Sequence, residues 1–184
     1  MTSTDLHQLS SVILRQVRGR DSNTVDAQRV AAAVHYVIAK ANSSKLGYVK
    51  LNKILWCADL EHYRWHGVTI TGLQHYARTL HGPMSQDIVG AVGRLAREGK
   101  VEERTVTVTD YTRREMVCLQ HPDISMFTGA QIGILNQMID VIVPLTASQL
   151  SRMNRGDPLW NELENNAAMS VATGSIVMSP VAPQ

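Results

Sequence analysis

The chain is short of cysteine and of net charge, and each shortage excludes something. Only Cys57 and Cys118 are present among 184 residues. Two thiols build no disulfide framework, and no second Cys-x-x-Cys or Cys/His cluster completes a structural zinc site. The 18 Lys+Arg and 16 Asp+Glu leave a formal charge of +2. That is too little for a polybasic nucleic-acid coat, whose affinity rests on neutralising many phosphates. No run of 18 apolar residues exists to span a bilayer. Met1-Thr2-Ser3-Thr4-Asp5 lacks the basic start of a secretory leader. Hydrophobic residues make up 44% of the chain, which excludes wholesale disorder. These absences lead to the expectation of one cytoplasmic domain with free thiols and no membrane partner.

What is present is mainly helical periodicity. Residues 1–22 read as an N-terminal extension able to form a short helix. From about 24 to 41, Val30, Ala31, Val34, Val37, Ile38 and Ala41 recur at helical spacing, with Thr24 as the expected cap. From 48 to 65, Leu51, Ile54, Leu55, Ala58 and Trp65 define a stripe, with Lys50, Lys53, Glu61 and Arg64 on the polar side and Gly67 as the stop. Tyr76–Leu80 alternates like a short strand, and His81-Gly82-Pro83 reads as a sharp turn. A third helix spans 84–98 and ends at Gly99. Two β-rich runs between 101 and 120 predict a hairpin. Residues 129–143 and 147–164 read as helices. The last segment, 165–184, carries no charged residue and suits either an edge strand or an unstructured tail. The expected fold is mainly α: a compact helical domain over 23–164 with a small β element, a short strand plus a β-hairpin.

Few residues suggest chemistry. His62 and His66 are four apart on one helix, so both rings can face one metal ion and support a metal-dependent hydrolase. Zinc needs a third ligand, and the catalytic His-Glu-x-x-His pattern is missing. Cys57 and Cys118 lack a nucleophile signature, and no Gly-x-Ser-x-Gly elbow or phosphate loop occurs. The helix–Gly99–hairpin order is that of a winged helix, in which Arg94, Arg97, Lys100, Arg104, Arg113 and Arg114 would meet DNA phosphates. Glu98, Glu102, Glu103 and Asp110, interleaved with them, blunt that field. Tyr63, Tyr76, Tyr111, Arg113 and Arg114 are candidate partner contacts, as aromatic and arginine side chains make frequent interface anchors.

One stretch is more specific. Lys50-Leu51-Asn52-Lys53-Ile54-Leu55-Trp56-Cys57-Ala58-Asp59 is followed by His66-Gly67 and Ile70-Thr71-Gly72. Then come Tyr76-Ala77, Gly82-Pro83-Met84, Leu95, Gly99 and Val101, and much later Asp157-Pro158-Leu159-Trp160. In order and spacing this resembles the Panacea, or SocA-like, antitoxin domain of bacteria and phages, over about residues 30–165. Arg155 stands where the family usually has a histidine, five residues before the Trp. The resemblance implies a mostly helical domain and an antitoxin that binds and neutralises a toxin protein, normally encoded next door, without catalysis or cofactor. It marks Lys50, Leu51, Lys53, Leu55, Asp59, Gly67, Thr71, Gly72, Gly82, Pro83, Gly99 and Trp160 as motif residues. Their physical reading is structural: Asp59 follows the apolar stripe closely enough to be buried and needs hydrogen-bond donors, either Lys53 or a backbone N–H near Thr71-Gly72.

Overall fold

The computed structural model describes residues 26–108 and 111–174, with the backbone alone for Val108, Tyr111 and Arg113. The expected helix within 1–22, the Thr24 cap and residues 175–184 of the tail lie outside the described residues. The first helix, α1 (Ala27–Ala41), starts at Asp26, whose carboxylate accepts the Gln28 and Arg29 N–H groups at 2.9 and 3.1 Å. An ionised N-cap satisfies orphan donors and faces the positive end of the helix. The predicted apolar face is the one that packs: Val30, Val34, Val37 and Ile38 are buried.

The second helix, α2 (Tyr48–His66), is the centre of the molecule. Every residue from Leu51 to Leu60 is buried, so the helix is covered on all sides here rather than on one stripe. This corrects the sequence reading twice. Lys53, expected on the polar side, is buried, because other elements cover that flank too. Trp65, expected on the apolar stripe, is 71% exposed, because the last turn runs past the core. Its indole N–H donates to Glu61. Gly67 ends the helix with φ 68°, as the sequence predicts.

A hairpin follows, β1 (His75–Thr79) and β2 (Gly82–Met84), with Thr79 opposite Gly82. Leu80 and His81 make the turn, so Gly82 and Pro83 belong to a strand and not to the turn predicted there. Pro83 is tolerated because β2 is an edge strand of its sheet. Helix α3 (Gln86–Arg97) is capped by the Ser85 hydroxyl and is shorter than the predicted 84–98, since Met84 is in β2. The predicted hairpin is present as β3 (Val101–Val108) and β4 (Tyr111–Cys118), antiparallel, with Val101 opposite Cys118 and Val108 opposite Tyr111.

Helix α4 (Gly129–Ile142) starts with a reciprocal cap between Thr128 and Gln131. The single helix predicted over 147–164 is two, α5 (Ala147–Arg155) and α6 (Pro158–Glu162). The break lies at Gly156-Asp157: the Asp157 carboxylate caps a new helix by accepting the Leu159 N–H at 2.9 Å, and Pro158 occupies its first position. Part of the uncharged tail becomes an edge strand, β5 (Ala168–Ser170), antiparallel to β1, giving the order β2-β1-β5. Met169 and Val171 enter the core there. The fold is therefore mainly α with a small β element. Among the described residues no single helix is long and apolar enough to cross a membrane.

Candidate functional site

Two of the motif residues, Asp59 and Thr71, meet in the core beside α2. Asp59 is fully buried, and its carboxylate accepts the Thr71 N–H at 2.9 Å, the Thr71 hydroxyl at 2.5 Å and the Tyr76 hydroxyl at 2.7 Å. The Thr71 hydroxyl oxygen in turn accepts the Leu73 N–H. One carboxylate thereby ties α2, the 68–72 turn and β1 together. Burial pushes its pKa up to about 6, against the pull of the donors on Thr71 and Tyr76. Of the two partner types open from sequence, the backbone N–H of Thr71 is the one used. Tyr76, a candidate partner contact, is buried in this network and packs edge-on against Trp56; it offers a partner nothing.

Lys53 reaches elsewhere. Its side-chain nitrogen donates to Oδ1 of the Asn154 side chain at 2.8 Å, and Asn154 Nδ2 donates onward to the His81 backbone carbonyl. This links α2 to α5 and to the β1–β2 turn. Lys50 donates to the carbonyl of Val143, the residue that caps α4, so a cation sits at the negative end of that helix. Asn52 accepts the Ser85 N–H at 2.8 Å, just where α3 begins. Leu51 and Leu55 are core, as is Trp160, whose ring carries the Arg78 guanidinium 4.6 Å from its centroid. Arg29, near the start of α1, binds three segments at once. It donates to Ile70 O at 2.6 Å, Met126 O at 3.0 Å and Gln131 Oε1 at 3.3 Å. Arg29 and Asn154 had no local signal, because their partners lie 41 to 102 residues away.

The proposed metal pair is occupied with other work. His62 has Nδ1 2.7 Å from the Val68 carbonyl and Nε2 3.4 Å from the Gln131 amide nitrogen. Both ring nitrogens are used, and His66 stacks on it with centroids 4.5 Å apart. Among the described residues no three His, Cys, Asp or Glu side chains cluster to hold an ion. The thiols are no better placed for catalysis. Cys57 is buried, and burial raises its pKa, the opposite of activation. Cys118 Sγ lies 3.6 Å from His35 Nε2, yet both atoms are 2.9 Å from the Gln120 carbonyl. Both donate to that oxygen, so this nitrogen presents a proton, not a lone pair, to the thiol. Burial lowers the His35 pKa and keeps the ring neutral.

The outer surface is different in character. The β3–β4 ribbon exposes Arg104, Thr105, Thr107, Thr112 and Arg114. Two of the cations proposed for DNA phosphates are paired locally: Lys100 with Glu98 and Arg104 with Glu102, each at 2.7 Å. The Tyr111 and Arg113 side chains lie outside the described residues. Tyr63 lines a groove of about 230 Å³ with Leu60, Arg64, Val171, Ala172 and Gly174. Trp65, Val68 and Leu80 are exposed apolar side chains.

Together these features define a helical scaffold whose motif residues stitch its core from within and whose surface residues face solvent. The class is settled by comparison: the model of the Antitoxin SocA-like, Panacea domain family matches residues 51–161, more than half of the chain. The protein belongs to that family. No curated protein and no solved structure matches it.

Proposed function

We propose that this protein is an antitoxin that neutralises a cognate toxin by direct protein–protein contact, without catalysis, in the cytoplasm. Membership of the Panacea family is the observation that carries the reading. The disposition of the motif supports it: Lys53, Asp59, Thr71 and Trp160 are buried structural residues, so the family signature marks a scaffold and leaves the surface free to specify a partner. Inhibition by binding needs shape and a few anchors, and a standard interface buries roughly 1,600 Å². The β3–β4 ribbon is the proposed contact element. Among the described residues its two strands pair with each other in a two-stranded sheet, to whose outer edge a partner can add a strand, and its arginines can anchor one.

The toxin is expected from the adjacent reading frame. Expressing that neighbour alone should arrest growth, and co-expressing this chain should restore it. A neighbour that is harmless alone, or toxicity unrelieved by co-expression, contradicts the proposal.

A further inference from the structure

We infer that His62 is a proton-operated latch: the ring must be neutral for the seam between α2, the 68–72 turn and α4 to close. The argument is an inventory of donors and acceptors. Gln131 Oε1 lies 3.0 Å from the Thr128 N–H and 3.3 Å from an Arg29 N–H. Both neighbours are obligatory donors, so the oxygen of this amide is fixed and its NH₂ must face the other way. It faces His62 Nε2 at 3.4 Å. That nitrogen must therefore accept. The other ring nitrogen, Nδ1, lies 2.7 Å from the Val68 carbonyl and must donate. Only the neutral Nδ1–H tautomer meets both demands.

Adding a proton to Nε2 sets an N–H against the Gln131 NH₂. The amide cannot rotate to relieve this without facing its NH₂ toward Thr128 N–H and Arg29. Among the described residues no carboxylate hydrogen-bonds to the ring. Arg29 reaches it from α1 through Gln131, His66 stacks on it from its own helix, and α4 presents the uncharged Gln131. Asp59, on the same helix, is committed to Thr71 and Tyr76. His62 holds the outer end of the turn, at the Val68 carbonyl, while Asp59 holds its inner end at Thr71. Thr69 Oγ1 is buried without a hydrogen-bond partner among the described residues, while the Ile70 carbonyl depends on Arg29, a member of the same network. Histidine side chains change charge in the range pH 5 to 8. Protonation of the ring therefore frees the Val68 end of the turn, and with it the exposed Trp65–Val68 end of α2, while Asp59 keeps Thr71 in place.

Gln131→Glu is the discriminating variant. It keeps an acceptor for Thr128 and Arg29 and places a second carboxylate oxygen toward Nε2, which now favours the charged ring. Amide hydrogen exchange of residues 68 and 69, corrected for intrinsic rate, should be followed from pH 7.5 to 5.5 in both proteins and read as the difference between them, in which the opposite proton linkage of Asp59 cancels. Relative to Gln131→Glu, the wild-type opening constant should rise as pH falls, by up to about tenfold per pH unit, the limit for one proton taken up on opening. Nitrogen NMR of the wild-type imidazole should show the Nδ1–H tautomer at pH 7.5. Parallel pH profiles in the two proteins would overturn the proposal. If the variant does not fold, the tautomer decides: an Nε2–H or charged ring at pH 7.5 overturns it.

Discussion

Asp59→Asn tests the polar centre of the fold through its pH dependence. Burial raises the Asp59 pKa from 3.8 to about 6. A carboxyl whose pKa is higher in the folded state favours folding most below its unfolded pKa, and that contribution is lost as pH rises through the folded value. A shift of about two units corresponds to about 3 kcal/mol between the limits. Between pH 7.5 and 4.5 the gain is smaller, about 2 kcal/mol, since the titration at pH 4.5 is incomplete. Asparagine cannot titrate, so the difference in urea-unfolding free energy between wild type and variant isolates this group from every other. The wild type should gain about 2 kcal/mol relative to Asp59→Asn on going from pH 7.5 to 4.5. The opposite slope, with the wild type losing stability relative to the variant in acid, would mean that the donors from Thr71 and Tyr76 outweigh burial. It would refute the account of this site.

Other consequences follow from single contacts. Lys53→Ala removes the donor to Asn154 and vacates buried stem volume, so the chain should lose roughly 2–4 kcal/mol by denaturant titration. A Cβ added at Gly174 meets Leu60 within contact distance and Trp56 at 3.1 Å; Gly174→Ala should cost about 1–3 kcal/mol and lower the melting temperature. Trp65→Ala should change stability by less than about 0.5 kcal/mol in the same titration, because the side chain is 71% exposed.

The long elements were legible because they bury one face at a regular spacing. The apolar positions of α1 and the β-rich runs of β3–β4 placed those elements, with the end of α1 and the start of β3 where they are observed and the starts of α1 and β4 off by three to four residues. The errors have physical causes. Lys53 looks exposed to any local reading, as its acceptor among the described residues is contributed 101 residues later by Asn154. Trp65 has the right period for the core, but period carries no information on where a helix outruns its neighbours. The α5–α6 break was written in Gly156-Asp157-Pro158, a stop, a cap and a first-turn proline, yet the apolar spacing on either side concealed it. At the candidate site the carboxylate at 59 and its need for donors were readable from its place beside an apolar stripe. The Arg29, Gln131 and His62 network was not, because three separate segments assemble it.

The central claim is neutralisation by direct contact, and purified components test it most directly. The full chain and the protein encoded beside it should be mixed and passed over a sizing column, with the toxin's activity measured in parallel. The account predicts a stable complex with loss of toxicity in proportion to complex formed, weakened by paired substitutions of Arg104 and Arg114 on the β3–β4 ribbon while the fold is retained. Loss of toxin activity with no complex, or with catalytic amounts of this chain, would contradict it.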